Sequence, residues 1–188
     1  MSAPRRRVFV WNAVFGYFGL GFTLARNVLF VPIYLHYIEL GEYGAWLATG
    51  GALVQLLITD FGLSGVISQR VAALSGAGDR SAIRALTAAG MVNAALLAVG
   101  LTAFCSLLGL ALPATQGLSR EAIARVSDCF MLALVANGVG IVSVAALAVV
   151  RGAQRATAAG VTTLVAELVG VVVTLTCLFS GLGLYGIA

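Results

Sequence analysis

Five long runs of apolar residues make up most of the chain, and the short segments before and between them hold all but three of its charged residues. Each run exceeds the roughly 20 residues that an α-helix needs to cross a hydrocarbon core about 30 Å thick. None shows the apolar–polar alternation in segments of about ten residues that is typical of transmembrane β-strands. The pattern therefore predicts membrane-spanning helices over residues 8–37, 43–68, 85–112, 129–150 and 158–179, with the opening of a sixth from residue 183.

The composition excludes the alternatives to a membrane protein. Of 188 residues, 61% are hydrophobic and only 10% are charged, whereas about 25% of the residues in a soluble domain are charged. So few charges cannot cover a soluble surface, and so hydrophobic a chain is not disordered. We therefore predict an all-α, polytopic transmembrane helix bundle that forms a single domain over residues 1–188.

The basic residues report on orientation. All eleven are arginines, and most lie between the predicted spans. Eight arginines lie on the same side of the membrane as the N-terminus, namely Arg5, Arg6, Arg7, Arg70, Arg80, Arg84, Arg151 and Arg155. Only Arg120 and Arg125 lie in the loops of the opposite side. The positive-inside rule then predicts a cytoplasmic N-terminus. Because the arginines punctuate apolar runs and form no single basic face, nucleic acid is not an expected partner.

Three ionisable residues, Arg26, Asp60 and Glu167, fall inside predicted spans. A charge at the centre of a bilayer costs between about 2.5 and 17 kcal/mol, so each must face protein or water. At 100° per residue, Arg26 shares its helix face with small and polar residues, while the opposite face is apolar. Gly160 and Thr163 lie on the side of Glu167 in the same way. Such faces are typical of helices that line a cavity.

Two interpretations of these charges stay open. Arg26 could bind an anionic substrate in a hydrated cavity, since a guanidinium matches two phosphate oxygens at once. The further substrate-binding candidates beside it are Asn12, Thr23 and Asn27. Alternatively, Arg26 pairs with Asp60 or Glu167 and locks the bundle. Either acid is also a candidate for ion coupling, because a membrane carboxylate can carry a proton.

The sequence contains no pattern that indicates an enzyme. It has no Walker A, GxSxG or HExxH motif and no cluster of histidines and cysteines, so we expect no catalytic residue, cofactor or metal site. The cysteines Cys105, Cys129 and Cys177 have no CxxC spacing and are interpreted as packing residues.

The most specific local patterns lie within residues 37–79. The stretch YIELGEYGAW over residues 37–46 resembles the LG…YG-x-W turn between the first two helices of polysaccharide flippases. The following DFGL (60–63), SQR (68–70) and SGAGD (75–79) are similar to the end of the second helix and the cytoplasmic loop of that family. These flippases are the O-antigen and exopolysaccharide exporters of the multidrug/oligosaccharidyl-lipid/polysaccharide superfamily. Helix order and loop lengths extend the resemblance over essentially the whole chain.

The resemblance implies a function and a partner. Members of the family have about 12–14 helices in two pseudo-symmetric lobes, and they carry an undecaprenyl-diphosphate-linked oligosaccharide across the bacterial cytoplasmic membrane. Arg26 matches the position of a cavity cation for the diphosphate. The chain stops after five helices and a fragment, which predicts an N-terminal lobe of a longer transporter, with a second lobe or glycan polymerisation proteins as partners. The alternative functions are a multidrug or cation-coupled exporter of the superfamily and a non-transporting scaffold of a glycan assembly complex.

Overall fold

The computed structural model describes residues 3–51, 62–109 and 119–187, and no β-strand occurs in these ranges. Two short helical segments accompany the α-helices there: a π-helical turn (Trp46–Gly51) and a 3-10 helix (Gly183–Gly186). The α-helices are α1 (Ala3–Tyr37), α2 (Leu40–Ala45), α3 (Leu63–Ala77), α4 (Arg80–Gly109), α5 (Arg120–Gly152) and α6 (Ala156–Phe179).

Four segments of the described chain are long and apolar enough to cross a membrane: Ala13–Tyr37, Arg80–Leu107, Arg120–Gly152 and Thr157–Phe179. The predicted all-helical membrane class is thus confirmed, but the count of five spans is not reached in this part of the chain. The middle of the second predicted span, residues 52–61 with Asp60, lies outside the described residues. Where the sequence predicts the opening of a sixth span, the structure has the 3-10 helix Gly183–Gly186.

Two helices begin earlier than their apolar runs, because polar residues cap them. Ser119 precedes α5, and its hydroxyl oxygen accepts the N–H of Ala122 at 3.2 Å. Asp79 precedes α4, where its Oδ1 accepts the N–H groups of Ala82 at 3.0 Å and Ser81 at 3.1 Å. These hydrogen bonds, with that from the Ser81 hydroxyl, lower the pKa of the Asp79 carboxyl. Capping satisfies the free N–H groups of a first turn, so helix starts follow the caps and not the hydrophobicity.

Helices α3, α4 and α5 pack together through small and branched apolar residues. Their shared core consists of Ile67, Val71, Ala94, Ala98, Ile141, Ala145 and Ala148. The approach of α5 to α3 is closest at Gly152, where an added Cβ would lie 2.6 Å from the Ser68 carbonyl oxygen. Small residues let helix backbones come this close, as is usual within membranes.

Helix α1 packs mainly against α6, and the two are joined to the other helices by a second core. Phe15 of α1 lies directly over Gly160 of α6, where an added Cβ would fall 2.4 Å from the ring. The second core lies at the opposite end of the bundle from this contact. It consists of residues from the end of α1, the segment 43–46, the first half of α5, the end of α6 and the 3-10 helix. On the outer side of α1, Leu24 and Val28 are exposed, which suits a lipid-facing surface.

Candidate functional site

The charged pair in the middle of the α1–α6 interface is the centre of the candidate site. Nη1 of Arg26 donates to Oε2 of Glu167 at 2.8 Å. The side chains are 32% and 28% exposed, respectively, so the pair is neither fully buried nor fully open. Of the two sequence interpretations, pairing of Arg26 with an acid is the arrangement present in this structure.

A cavity of about 380 Å³ begins beside this pair and lies between α1, α6 and the end of α5. The wall residues from α1 and α6 are mostly small or polar, as the sequence predicts for helix faces that line a cavity. An added Cβ at Gly16 or Gly19 would meet nothing within 4 Å, so the absent side chains leave real space there. The lining residues are Phe15, Gly16, Gly19, Leu20, Thr23, Arg151, Ala159, Gly160, Thr163, Leu164 and Glu167.

A second cavity, of about 680 Å³, lies on the other side of the ion pair. Its walls are Arg26, Glu167, the α6 residues Thr162, Thr163 and Ala166, and the α5 residues Ser143, Ala146, Leu147 and Val150. Glu167 lines both cavities, and Arg26 lines the second. The ion pair can therefore be reached from two sides, and an anion in either space would compete with Glu167 for Arg26.

The predicted substrate-binding residues do not all converge on the cavity. Thr23, which lies on the same face of α1 as Arg26, lines the first cavity. Asn27 is exposed and is not among the lining residues of either cavity. The side chain of Asn12 and the whole of Asp60 lie outside the described residues. Their roles stay predictions.

Arg151 is a cavity residue that the sequence did not reveal. Its position after the fourth predicted span marked it only as an orientation charge, but the structure places it in the wall of the first cavity, which Phe15, Gly16 and Gly160 also line. The short interval between predicted spans four and five could have placed Arg151 near the start of α6. Nothing in the sequence shows that α1 lies there as well. Among the acidic side chains that the structure describes, none forms an ion pair with Arg151.

A second ion pair, which the sequence analysis did not predict, lies at the opposite end of the bundle. Glu42 of α2 is the charged residue buried in the second core region, and it accepts from Nε of Arg125 at 2.9 Å and from the Nη2 of the same side chain. Nearby, the hydroxyl of Tyr185 approaches Asp128 at 3.4 Å. These contacts fasten α2 and the 3-10 helix to the first turns of α5.

The charged side chains that line the two cavities favour an anion as the ligand. Within residues 3–51, 62–109 and 119–187, no group of three or more His, Cys, Asp or Glu residues could hold a metal. Two arginines and one glutamate contribute to the two cavities, which leaves an excess of positive charge. A guanidinium in a partly dehydrated space binds phosphate or carboxylate oxygens through charge-assisted hydrogen bonds.

Comparison of the chain with protein-family models, curated proteins and solved structures finds no match. The resemblance to polysaccharide flippases therefore stays a prediction that depends on the motifs within residues 37–79 and on helix order and loop lengths.

Proposed function

We propose that the protein is a membrane transporter, namely the N-terminal lobe of a flippase that moves a polyprenyl-diphosphate-linked oligosaccharide for polysaccharide export. The observation that carries this proposal is the cavity between α1, α5 and α6, whose wall includes Glu167, the partner of Arg26 in the ion pair. Ionisable residues within membrane spans are rare, and those that face a cavity mark substrate or ion pathways.

The charge arrangement supports a diphosphate as the transported group. A diphosphate cannot cross hydrocarbon unaided, because an isolated charge loses its hydration there. A cavity with fixed cations lowers this barrier, while the polyprenyl chain stays in lipid. The exposed apolar residues of α1 and α6, such as Val28 and Val172, offer a surface along which such a chain can lie.

The proposed architecture and location follow the sequence prediction. The bundle has five spans and the start of a sixth, lies in the bacterial cytoplasmic membrane with its N-terminus in the cytoplasm, and faces a second lobe across the cavity. In this orientation the end with Phe15 and Arg151 faces the cytoplasm, where lipid-linked oligosaccharides are made. Alternating access in such folds results from one lobe rocking against the other.

Replacement of Arg26 tests the function. Arg26→Ala is expected to abolish export of the glycan in cells while the protein stays in the membrane, and Arg26→Lys is expected to retain part of it, because the charge remains without the bidentate geometry. Arg155→Gln is the matched control, since it removes an arginine that lines neither cavity. Surface glycan and membrane protein level are measured together. Full export by Arg26→Ala would refute the proposal.

A second candidate function, a cation-coupled or multidrug exporter, is favoured by one observation. Glu167 lines both cavities and is partly exposed, so protons or cations can reach its carboxylate. In this case Glu167→Gln abolishes transport of an amphipathic cation and Arg26→Ala does not. The two functions thus differ in which member of the ion pair is indispensable.

A further inference from the structure

The two arginines of the site differ in whether their charge is already compensated. Arg26 is held by Glu167 at 2.8 Å, so its donors are partly occupied before any ligand arrives. Arg151 is exposed and forms no ion pair with an acid in the part of the chain that the structure describes. An incoming anion at Arg26 must displace a carboxylate, whereas an anion at Arg151 displaces only water.

Position along the cavity separates the two arginines as well. Arg151 lies one residue before the end of α5, and the turn 153–155 joins that end to the start of α6. On α1, Phe15, which packs on Gly160 near the start of α6, precedes Arg26 by eleven residues, which is roughly 16 Å at 1.5 Å per residue. On α6, Ala159 and Gly160 precede Glu167 in the same direction. Arg151 therefore lies at the end of the cavity next to the α5–α6 turn, here called the mouth, and Glu167 with its partner Arg26 lies towards the other end.

From these two observations we infer that Arg151 is a separate anion-capture site that binds the diphosphate head of the ligand before Arg26 does. This inference rests on the proposed function and adds an order of events to it. The head group first binds Arg151 against the glycine-lined walls of the mouth. It then moves inward and exchanges with Glu167 for Arg26. Initial binding consequently depends on Arg151, and the later transfer depends on Arg26.

Equilibrium binding to the full chain in detergent micelles tests the order. The probes are inorganic pyrophosphate, geranyl diphosphate and uncharged geraniol, with affinity followed by isothermal titration calorimetry. A hydrogen bond to a charged group contributes about 1.5–3 kcal/mol, so Arg151→Gln is expected to weaken binding of both diphosphates roughly tenfold or more. Arg155→Gln is the matched control, because Arg155 lies four residues further along the chain and outside the cavity lining. It is expected to change the affinity less than about threefold, which corresponds to less than about 1 kcal/mol.

The ion pair must be replaced as a unit, because removing Arg26 alone would leave the Glu167 charge to repel the ligand. The double variant Arg26→Gln/Glu167→Gln is neutral at both positions and is expected to bind pyrophosphate within about threefold of wild type. Glu167→Gln alone frees Arg26 and is expected to tighten binding. Each variant is checked for an unchanged helical circular dichroism spectrum before titration.

The outcomes separate this inference from the proposed function. Wild-type affinity in Arg151→Gln, or a loss in the double variant as large as in Arg151→Gln, would overturn the capture site. Tighter binding of geranyl diphosphate than of pyrophosphate supports capture with a lipid-linked diphosphate as the source, and equal affinities support capture with a free anion as the source. Arg151-dependent binding without any transfer of a lipid-linked diphosphate across vesicles would uphold the capture site and refute the flippase function.

Discussion

The close contact of α5 with α3 at Gly152 makes Gly152→Ala a quantitative test of the packing. A Cβ at this position would lie 2.6 Å from the Ser68 carbonyl oxygen and 2.7 Å from the Cβ of Val71, both of which are too rigid to rotate away. Ordinary contact begins at 3.4 Å, so α3 and α5 must separate by roughly 0.7 Å, and overpacking of this kind costs about 1–3 kcal/mol. The better helix propensity of alanine offsets up to about 1 kcal/mol of this loss.

The expected net result for Gly152→Ala is a loss of about 1–2 kcal/mol in the free energy of unfolding. At about 2–4 °C per kcal/mol for a chain of this size, the unfolding midpoint in detergent falls by several degrees. Gly140→Ala is the matched control on the same helix, because a Cβ there meets nothing within 4 Å. That variant is expected to be as stable as wild type or more so. A Gly152→Ala protein as stable as Gly140→Ala would refute the packing.

Three further predictions concern helix ends, each measured by thermal unfolding. Because its pKa is lowered, the ionised Asp79 cap stabilises the fold above its ordinary pKa, and this stabilisation is lost as the pH falls through the lowered value. The midpoint of wild type relative to Asp79→Asn should therefore decrease below about pH 4, and a pH-independent difference would contradict this. Ser119→Ala removes the cap to Ala122 and should lower stability by about 1 kcal/mol, whereas Ser143→Ala, which loses only a bond within its own helix, should change it less. The φ of 59° at Gln154 lies in the left-handed region, which strains residues that have a Cβ. Gln154→Gly should therefore raise stability by about 1 kcal/mol. An unchanged or lower midpoint would count against strain at this position.

The helical membrane class was predictable from the sequence because it depends on long-range averages of hydrophobicity. The interiors of α1, α4, α5 and α6 coincide with four of the predicted runs. Helix ends were less predictable, since a few hydrogen bonds at Ser119 and Asp79 decide them and allow α5 and α4 to extend beyond the bilayer. The 3-10 helix Gly183–Gly186 follows a residue with positive φ, Gly181, and hydrophobicity alone gives no sign of that turn.

The candidate site shows the same division between local and long-range information. Helical periodicity places Thr23 on the face of Arg26, and Gly160 and Thr163 on the face of Glu167, and these residues do line one cavity. Which acid pairs with Arg26 depends on how α1 crosses α6, and one sequence contains no signal for that crossing. For the same reason the sequence did not distinguish Arg151, which lines the cavity, from the other arginines at that end of the bundle.

The way α5 and α6 are fastened has a consequence for ligand affinity. The three-residue turn 153–155 joins them at one end, and contacts within the second core, including those of Leu134 and Leu178, join them at the other. The second cavity, which Arg26 and Glu167 line, lies between these two connections. Its α5 and α6 walls are therefore in place before a ligand arrives. A ligand that enters preorganised walls loses little affinity to the ordering of side chains and loops. The same fastening limits the size of the head group that can enter, because a wider one must first separate a buried apolar cluster.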